Sequence, residues 1–146
     1  MAFQIKIGSI ADAVDVSLQV PELRNPHPKE VYEHRLAGKK HLILIAYEGE
    51  KKVGFKVGYD KFQDGNNFYT WMGGVLPEFR KKGIADALAQ YQEWWIKDQG
   101  YENVILKTRN QHRGMLIFAL KNDFKIIDIE SRKNIDEHRI LLKKKL

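Results

Sequence analysis

The chain has 146 residues, 43% of them hydrophobic and 11% aromatic, and contains no cysteine. That length fits one domain with a packed core, and the missing cysteine excludes disulfides, thiolate zinc sites and a cysteine nucleophile. Twenty-five Lys and Arg against 19 Asp and Glu give a formal charge of +6, a surplus that attracts a phosphorylated cofactor, a nucleic acid or an acidic lipid without choosing among them.

In chain order, Phe3, Ile5 and Ile7 alternate with polar residues, the period of a half-buried strand. This N-terminus lacks the apolar run of a signal peptide. The longest apolar run, Leu42 to Ala46, is too short to span a bilayer, so a cytoplasmic protein without membrane attachment is expected. Ser9 offers an N-cap for a helix from Ile10 to about Leu18, with Ala11, Val14 and Leu18 on one side. Pro21, Pro26 and Pro28 make a loop, and Lys29 to Leu36 forms a second short helix that stops at Gly38. Leu42 to Tyr47 and Val53 to Tyr59, joined through Glu48-Gly49-Glu50, predict a β-hairpin. After the Asp64-Gly65-Asn66 turn, Asn67 to Val75 reads as a strand whose Gly73-Gly74 predicts a bulge or a close ligand contact.

Ile84, Leu88, Tyr91 and Trp95 recur at helical spacing, which predicts a helix from Gly83 to Gln99 stopped by Gly100 and assigns Trp94 and Trp95 to packing rather than base stacking. A strand at Val104 to Leu106, a helix at Arg113 to Lys121 and strands at Phe124 to Ile129 and His138 to Leu142 follow, leaving Lys143-Lys144-Lys145 as a solvated tail. The order β-α-α-β-β-β-α-β-α-β-β implies a mixed sheet flanked by helices.

The chemistry concentrates in residues 73–85, between a strand and a helix. The first amides of a helix lack internal partners and lie at the positive end of its dipole, so an anion gains there on both counts, by about 0.3 to 2 kcal/mol from the dipole alone. Gly83 admits close backbone approach, and Ala85 keeps the next contact small. Neither G-x-x-x-x-G-K-S/T nor a helix-opening G-x-G-x-x-G occurs, which argues against a nucleotide hydrolase or a nicotinamide enzyme. Arg80, Gly83 and Ala85 do fill Gln/Arg-x-x-Gly-x-Gly/Ala. With the strand ending at Val75, Pro77 beyond it, the long helix, Thr108-Arg109-Asn110 and Asn122-Asp123-Phe124 in order, residues 67–144 resemble the GNAT superfamily of N-acetyltransferases, and the N-terminal half does so more weakly.

The resemblance implies a single α/β domain over residues 1–146, built on a mixed, mostly antiparallel twisted sheet of about seven strands flanked by helices. It implies acetyl-CoA as cosubstrate, no metal, and transfer to a primary amine of a small molecule or peptide. By the same resemblance Val75 backbone groups lie against the cofactor's amides where two strands splay. Arg80, Lys81, Lys82, Gly83, Ile84 and Ala85 surround the pyrophosphate, mostly through N–H groups, and the positive charge gathers around that cleft. Asn110 falls where the family places an asparagine on the cofactor arm, and it equally suits a helix N-cap.

The tyrosine that many members use to protonate the departing thiolate is replaced by Ala119, with Phe118 beside it. The strand from Asn67 to Val75 contains no carboxylate, leaving Tyr69, Glu33 and Glu78 as candidate bases. The histidines at 27, 34, 41, 112 and 138 show no ligand spacing. Two readings stay open beside the enzyme: a non-catalytic acyl-CoA-binding module, and a nucleic-acid binder, which requires a contiguous basic face and is not expected. A homodimer through the C-terminal strands is also open. On the acceptor side Glu22, Glu30 and Glu33 stand against Arg24, His27 and Arg35, a mixed charge that names no substrate class.

Overall fold

A computed structural model describes residues 2–146. The strands are β1 (Gln4–Ile7), β2 (His41–Glu48), β3 (Lys51–Tyr59), β4 (Asn67–Val75), β5 (Asn103–Arg109), β6 (Lys125–Glu130) and β7 (Arg139–Lys145). The helices are α1 (Ile10–Ser17), α2 (Lys29–Leu36), α3 (Ile84–Asp98) and α4 (Arg113–Lys121). Short 3-10 turns occupy Pro77–Phe79 and Ile135–Glu137. All strands join one sheet in the order β1-β2-β3-β4-β5-β7-β6, antiparallel except where β4 meets β5, so the expected α/β architecture of seven mostly antiparallel strands is the one observed.

Helices cover both faces. Ile43 and Ile45 of β2 and Phe55 and Val57 of β3 pack with Ala13, Val16, Tyr32 and Leu36 of α1 and α2. The alternate residues Leu42, Leu44 and Ala46 pack with Ile84 and Leu88 of α3, while Phe68, Val104, Leu106 and Leu142 close over Ile96 and Ala119. Burial on both faces explains why β2 reads as an unbroken apolar run rather than an alternation.

At α1 a capping box forms: Ser9 Oγ accepts from the Asp12 N–H at 3.2 Å, and the Asp12 carboxylate accepts from the Ser9 N–H at 3.0 Å. The buried stripe is Ala13, Val16 and Ser17 rather than Ala11, Val14 and Leu18. Helix α1 ends at Ser17, and the following turn inserts Val20 into the core, leaving Leu18 66% exposed.

Glycines on β3 let α3 lie close to the sheet. A Cβ at Gly54 would sit 3.4 Å from Ile84 and Leu88, and one at Gly58 would sit 2.7 Å from the Phe68 ring and 2.9 Å from the Tyr69 carbonyl. The ridge Ile84, Leu88, Gln92 therefore rests on β3 at two positions without side chains, on either side of Lys56. Gly58→Ala is expected to lower the unfolding free energy in urea by about 2 kcal/mol, the usual cost of overpacking against rigid neighbours.

Two sequence expectations change here. Lys143 to Lys145 are strand residues of β7, opposite Ile105, Val104 and Asn103, and Lys144 Nζ lies 2.8 Å from Glu93. They are held because β7 sits between β5 and β6 rather than at an edge. Trp95 packs on Phe68 with ring centroids 5.6 Å apart, but Trp94 is 63% exposed; one residue along a helix turns the side chain by about 100°, off the core stripe. Edge strand β6 leaves Ile126, Ile127 and Ile129 half exposed, with a register slip between Ile126 and Asp128 of the kind that distorts an edge.

Candidate functional site: a wedge between two parallel strands

Strands β4 and β5 pair only from Asn67↔Asn103 to Thr70↔Leu106. Beyond that point β4 follows β3 to Val75 while β5 follows β7 to Arg109, and a wedge opens. Trp71 sits at its start. Val57 faces Met72 and Gly58 faces Thr70, so Trp71 is the extra residue of a bulge, and a bulge bends its strand. The bulge expected at Gly73-Gly74 is thus located at Trp71. The two glycines keep regular register with Lys56 and Phe55, and Gly74 allows Val20 to approach, since a Cβ there would lie 3.1 Å from both of its methyl groups.

The wedge is lined by backbone polar groups. The Leu76 N–H donates to the Val53 carbonyl at 2.9 Å, which makes those two the hydrogen-bonded pair of the ladder. Val75 and Gly73 then turn their N–H and C=O away from β3, toward the space β5 has left. The Val75 carbonyl accepts from Arg80 Nε at 3.0 Å; its N–H stays directed into the wedge.

Past Pro77–Phe79 the chain turns through two left-handed residues, Lys81 at φ 62° and Gly83 at φ 83°. Helix α3 begins after Gly83 with no side-chain cap. Its first internal bond is Ala87 N–H to the Gly83 carbonyl, 3.0 Å, so the preceding amides have no partner within the helix. A Cβ on Gly83 would meet nothing within 4 Å: glycine serves the backbone angle here, and the space before it is open. These elements enclose a cleft of about 430 Å³ lined by Val75, Phe79, Arg80, Lys81, Gly83, Ile84, Ala85 and Asp86, and by Phe118 and Lys121 of α4 with its C-cap Asn122.

Most of the residues singled out from the sequence therefore meet at one place. Ile84 contributes only backbone, its side chain being 2% exposed in the core. The Arg80 guanidinium is bound to Glu22 through two hydrogen bonds of 2.7 and 2.8 Å, which holds the Glu22 carboxyl below the usual range. It ties the turn to the loop before α2 instead of pointing into the cleft. Lys82 turns away, with Nζ 3.9 Å from Glu48 and 5.1 Å above the Phe79 ring. Asn110 does not line the cleft. Its Nδ2 donates to the Ile135 carbonyl at 3.2 Å, and α4 is preceded by His112 as N-cap, without a side-chain cap bond, so Asn110 is not the cap residue. The α4 wall was missed in the sequence, although positions 118, 121 and 122 lie on one helical face.

None of the candidate bases lines the cleft. Tyr69 is 6% exposed, and burial pushes its hydroxyl up to about 12, so it holds its proton at neutral pH. Glu33 is exposed on α2, 3.7 Å from Lys29, and Glu78 is exposed in the 3-10 turn. Ala119 is fully buried in the core, while Phe118 beside it faces the cleft; neither offers a proton. Behind Phe118 and Asn122 lies a cavity of about 10 Å³ that also touches Lys56, Thr70 and Gln92, room for about one water. Burial lowers Lys56 there to about 8, against the opposing pull of Glu93, and Gln92 Nε2 has no hydrogen-bond partner among the described residues. Also among the described residues, no group of three His, Asp or Glu could hold a metal, and no helix is long and apolar enough to cross a membrane.

Residues 13–124 match the model of the acetyltransferase (GNAT) family. The chain belongs to that family. Its fold is similar to Ard1 from Thermoplasma volcanium (TM-score 0.84, 17% identity, 100% of this chain and 99% of that one). It is also similar to the ribosomal-protein-S18-alanine N-acetyltransferase from Escherichia coli (TM-score 0.83, 12% identity, 99% and 94% covered). A third similar structure is a GNAT family acetyltransferase from Elizabethkingia anophelis with acetyl-CoA bound (TM-score 0.76, 20% identity, 99% and 98% covered). No curated protein matches the chain in sequence.

Proposed function

We propose that the chain transfers the acetyl group of acetyl-CoA to a primary amine by direct attack while both substrates are bound. The observation that carries this reading is the wedge between β4 and β5 opening onto the uncapped start of α3. Free amides after Gly83, with Lys81 and Lys121 beside them, suit a pyrophosphate. The N–H of Val75 and the backbone of Gly73 suit the amides of the pantetheine arm, which would run along β4 as a further strand does. The Elizabethkingia anophelis neighbour with acetyl-CoA bound supports the choice of donor.

Proton transfer narrows the acceptor. A lysine-like amine with a pKa of about 10.4 needs roughly 4 to 5 kcal/mol to expose its lone pair at neutral pH, whereas an α-amine near 8 needs only about 1 kcal/mol. With no carboxylate on β4 and Tyr69 protonated, an amine of low pKa fits this site better than a lysine side chain. The departing thiolate, with a pKa of about 8.5, leaves with modest help. The second reading, an acyl-CoA-binding module without turnover, is favoured only by Phe118 facing the cleft where the family's tyrosine would serve. Acetyl-CoA with a panel of amines, followed by release of free thiol, decides between them. Release above the acceptor-free blank is expected; binding by calorimetry without release under any amine would leave the module.

A further inference from the structure

On the face opposite α3 and α4, helices α1 and α2 cover the part of the sheet nearer β1, with β4 and Ile105 of β5 at the margin of their cluster. Since Ile105 points to that face, Lys107 and Arg109 do too. On β7, Ile140 and Leu142 belong to the α4 cluster, which turns Arg139 to the same face as Arg109. Arg109 and Arg139 stand directly opposite each other. The next pair along is the hydrogen-bonded one, Asn110 N–H to the His138 carbonyl at 2.9 Å, so the two arginines occupy a non-bonded pair, where side chains lie closest. Like charges so placed oppose folding.

More cations stand on the same face. Arg35 lies 4.8 Å above the Trp71 ring and Lys61 lies 4.6 Å from the centre of Tyr69. Arg35 and Arg139 both act on Tyr69, while Arg24, Arg109 and Arg139 all act on His112, which burial and then these charges hold below its ordinary value. Two of the nearby carboxylates are engaged: Glu22 with Arg80, and Glu130, which stands opposite Arg139 on β6, with Lys107 at 3.2 Å and Arg132 at 3.5 Å. Among the described residues Arg24, Arg35, Lys61, Arg109 and Arg139 form no ion pair. The mixed charge read on the acceptor side from the sequence is joined there by Arg109 and Arg139, which the fold adds, so the basic surplus is not confined to the cofactor cleft.

We propose that the acceptor is an anionic amine, carrying a carboxylate or phosphate near the reacting nitrogen, and that Arg109 and Arg139, assisted by Arg35 and Lys61, hold that anion at the mouth of the wedge. This deepens, and rests on, the acetyltransferase reading. An anion between the two arginines removes their repulsion, and the cations around it penalise a polycationic acceptor.

The test is calorimetric titration of the CoA-loaded protein with acetylated end products: N-acetyl-Ala-Glu-Glu, N-acetyl-Ala-Lys-Lys and the small acid N-acetylglutamate. At low salt either acidic probe is expected to bind at least about tenfold tighter than the lysine peptide, with the advantage shrinking as salt rises; which acid binds better separates a peptide from a small molecule. The R109Q/R139Q protein should lose that advantage, keep its affinity for CoA, and melt no lower than the parent because a like-charge pair is gone. Equal or tighter binding of the lysine peptide, or an unchanged preference in the double variant, overturns the proposal, as does tighter binding of a random RNA that the variant abolishes. Thiol release with the matching free amines is read separately: no release alongside the acidic preference would sink the transferase reading and leave the anion site standing.

Discussion

Replacing Gly83 by aspartate is expected to weaken acetyl-CoA binding by about a hundredfold or more while the fold persists, because a carboxylate about 5 Å from a phosphate charge costs roughly 3 kcal/mol at an effective dielectric of 20. The fold should survive because a Cβ at this position meets nothing within 4 Å, and aspartate tolerates the left-handed backbone better than most residues. Gly83→Ala is the control. It carries at least as much backbone strain, about 1 kcal/mol or more, without the charge, and its affinity should fall less than about tenfold. Calorimetric titration gives both affinities, and thermal melts report whether each variant is folded. Parental affinity in Gly83→Asp would mean that the phosphates lie elsewhere than at the start of α3.

What the sequence revealed about this site follows from which signals are local. The β4–turn–α3 segment was legible because its features are short-range: a strand ending at Val75, Pro77 stopping it, a left-handed glycine, then an apolar stripe from Ile84. The wedge was less so, since it depends on Trp71 being squeezed out of register with β3 and on β5 following β7 instead of β4. Nothing in either strand alone announces that parting. Arg80 shows the same limit, because its residue type fits a phosphate loop while its partner, Glu22, stands 58 positions earlier. That Phe118, Lys121 and Asn122 line the cleft was not legible, because α4 reads as an ordinary amphipathic helix until β7 fixes which face it turns to the cleft. The arginine pair is likewise invisible in one dimension. Arg109 and Arg139 become neighbours only when β7 inserts between β5 and β6, a rearrangement that also turned the apparent tail of lysines into a strand.

Lys56→Met is expected to raise the stability of the folded chain at pH 7 by about 2 kcal/mol and to lose that advantage as pH approaches 10.5. The cause is burial: Lys56 lines the cavity behind Phe118, and its pKa falls from 10.5 to about 8 in the fold, with Glu93 only partly countering the loss of water. The sign follows from proton counts. Below pH 8 both folded and unfolded chains hold the proton, and the folded state bears the whole cost of keeping an ammonium out of water, about 3 kcal/mol for a depression of this size. The side chain retains some solvent contact, which screens part of that cost. Between about 8 and 10.5 the folded chain releases the proton while the unfolded chain still binds it, so this group's contribution makes stability rise with pH; above 10.5 it contributes nothing. Methionine matches the lysine stem in length and adapts its shape to the cavity, so packing changes little. Urea unfolding of both proteins at pH 7, 8.5 and 10 isolates the group, because every other titration cancels in the difference. A gap that narrows across this range is the expected result, whereas a variant less stable than the parent at pH 7 would mean that the ammonium gains more from Glu93 and the cavity water than it loses by leaving solvent.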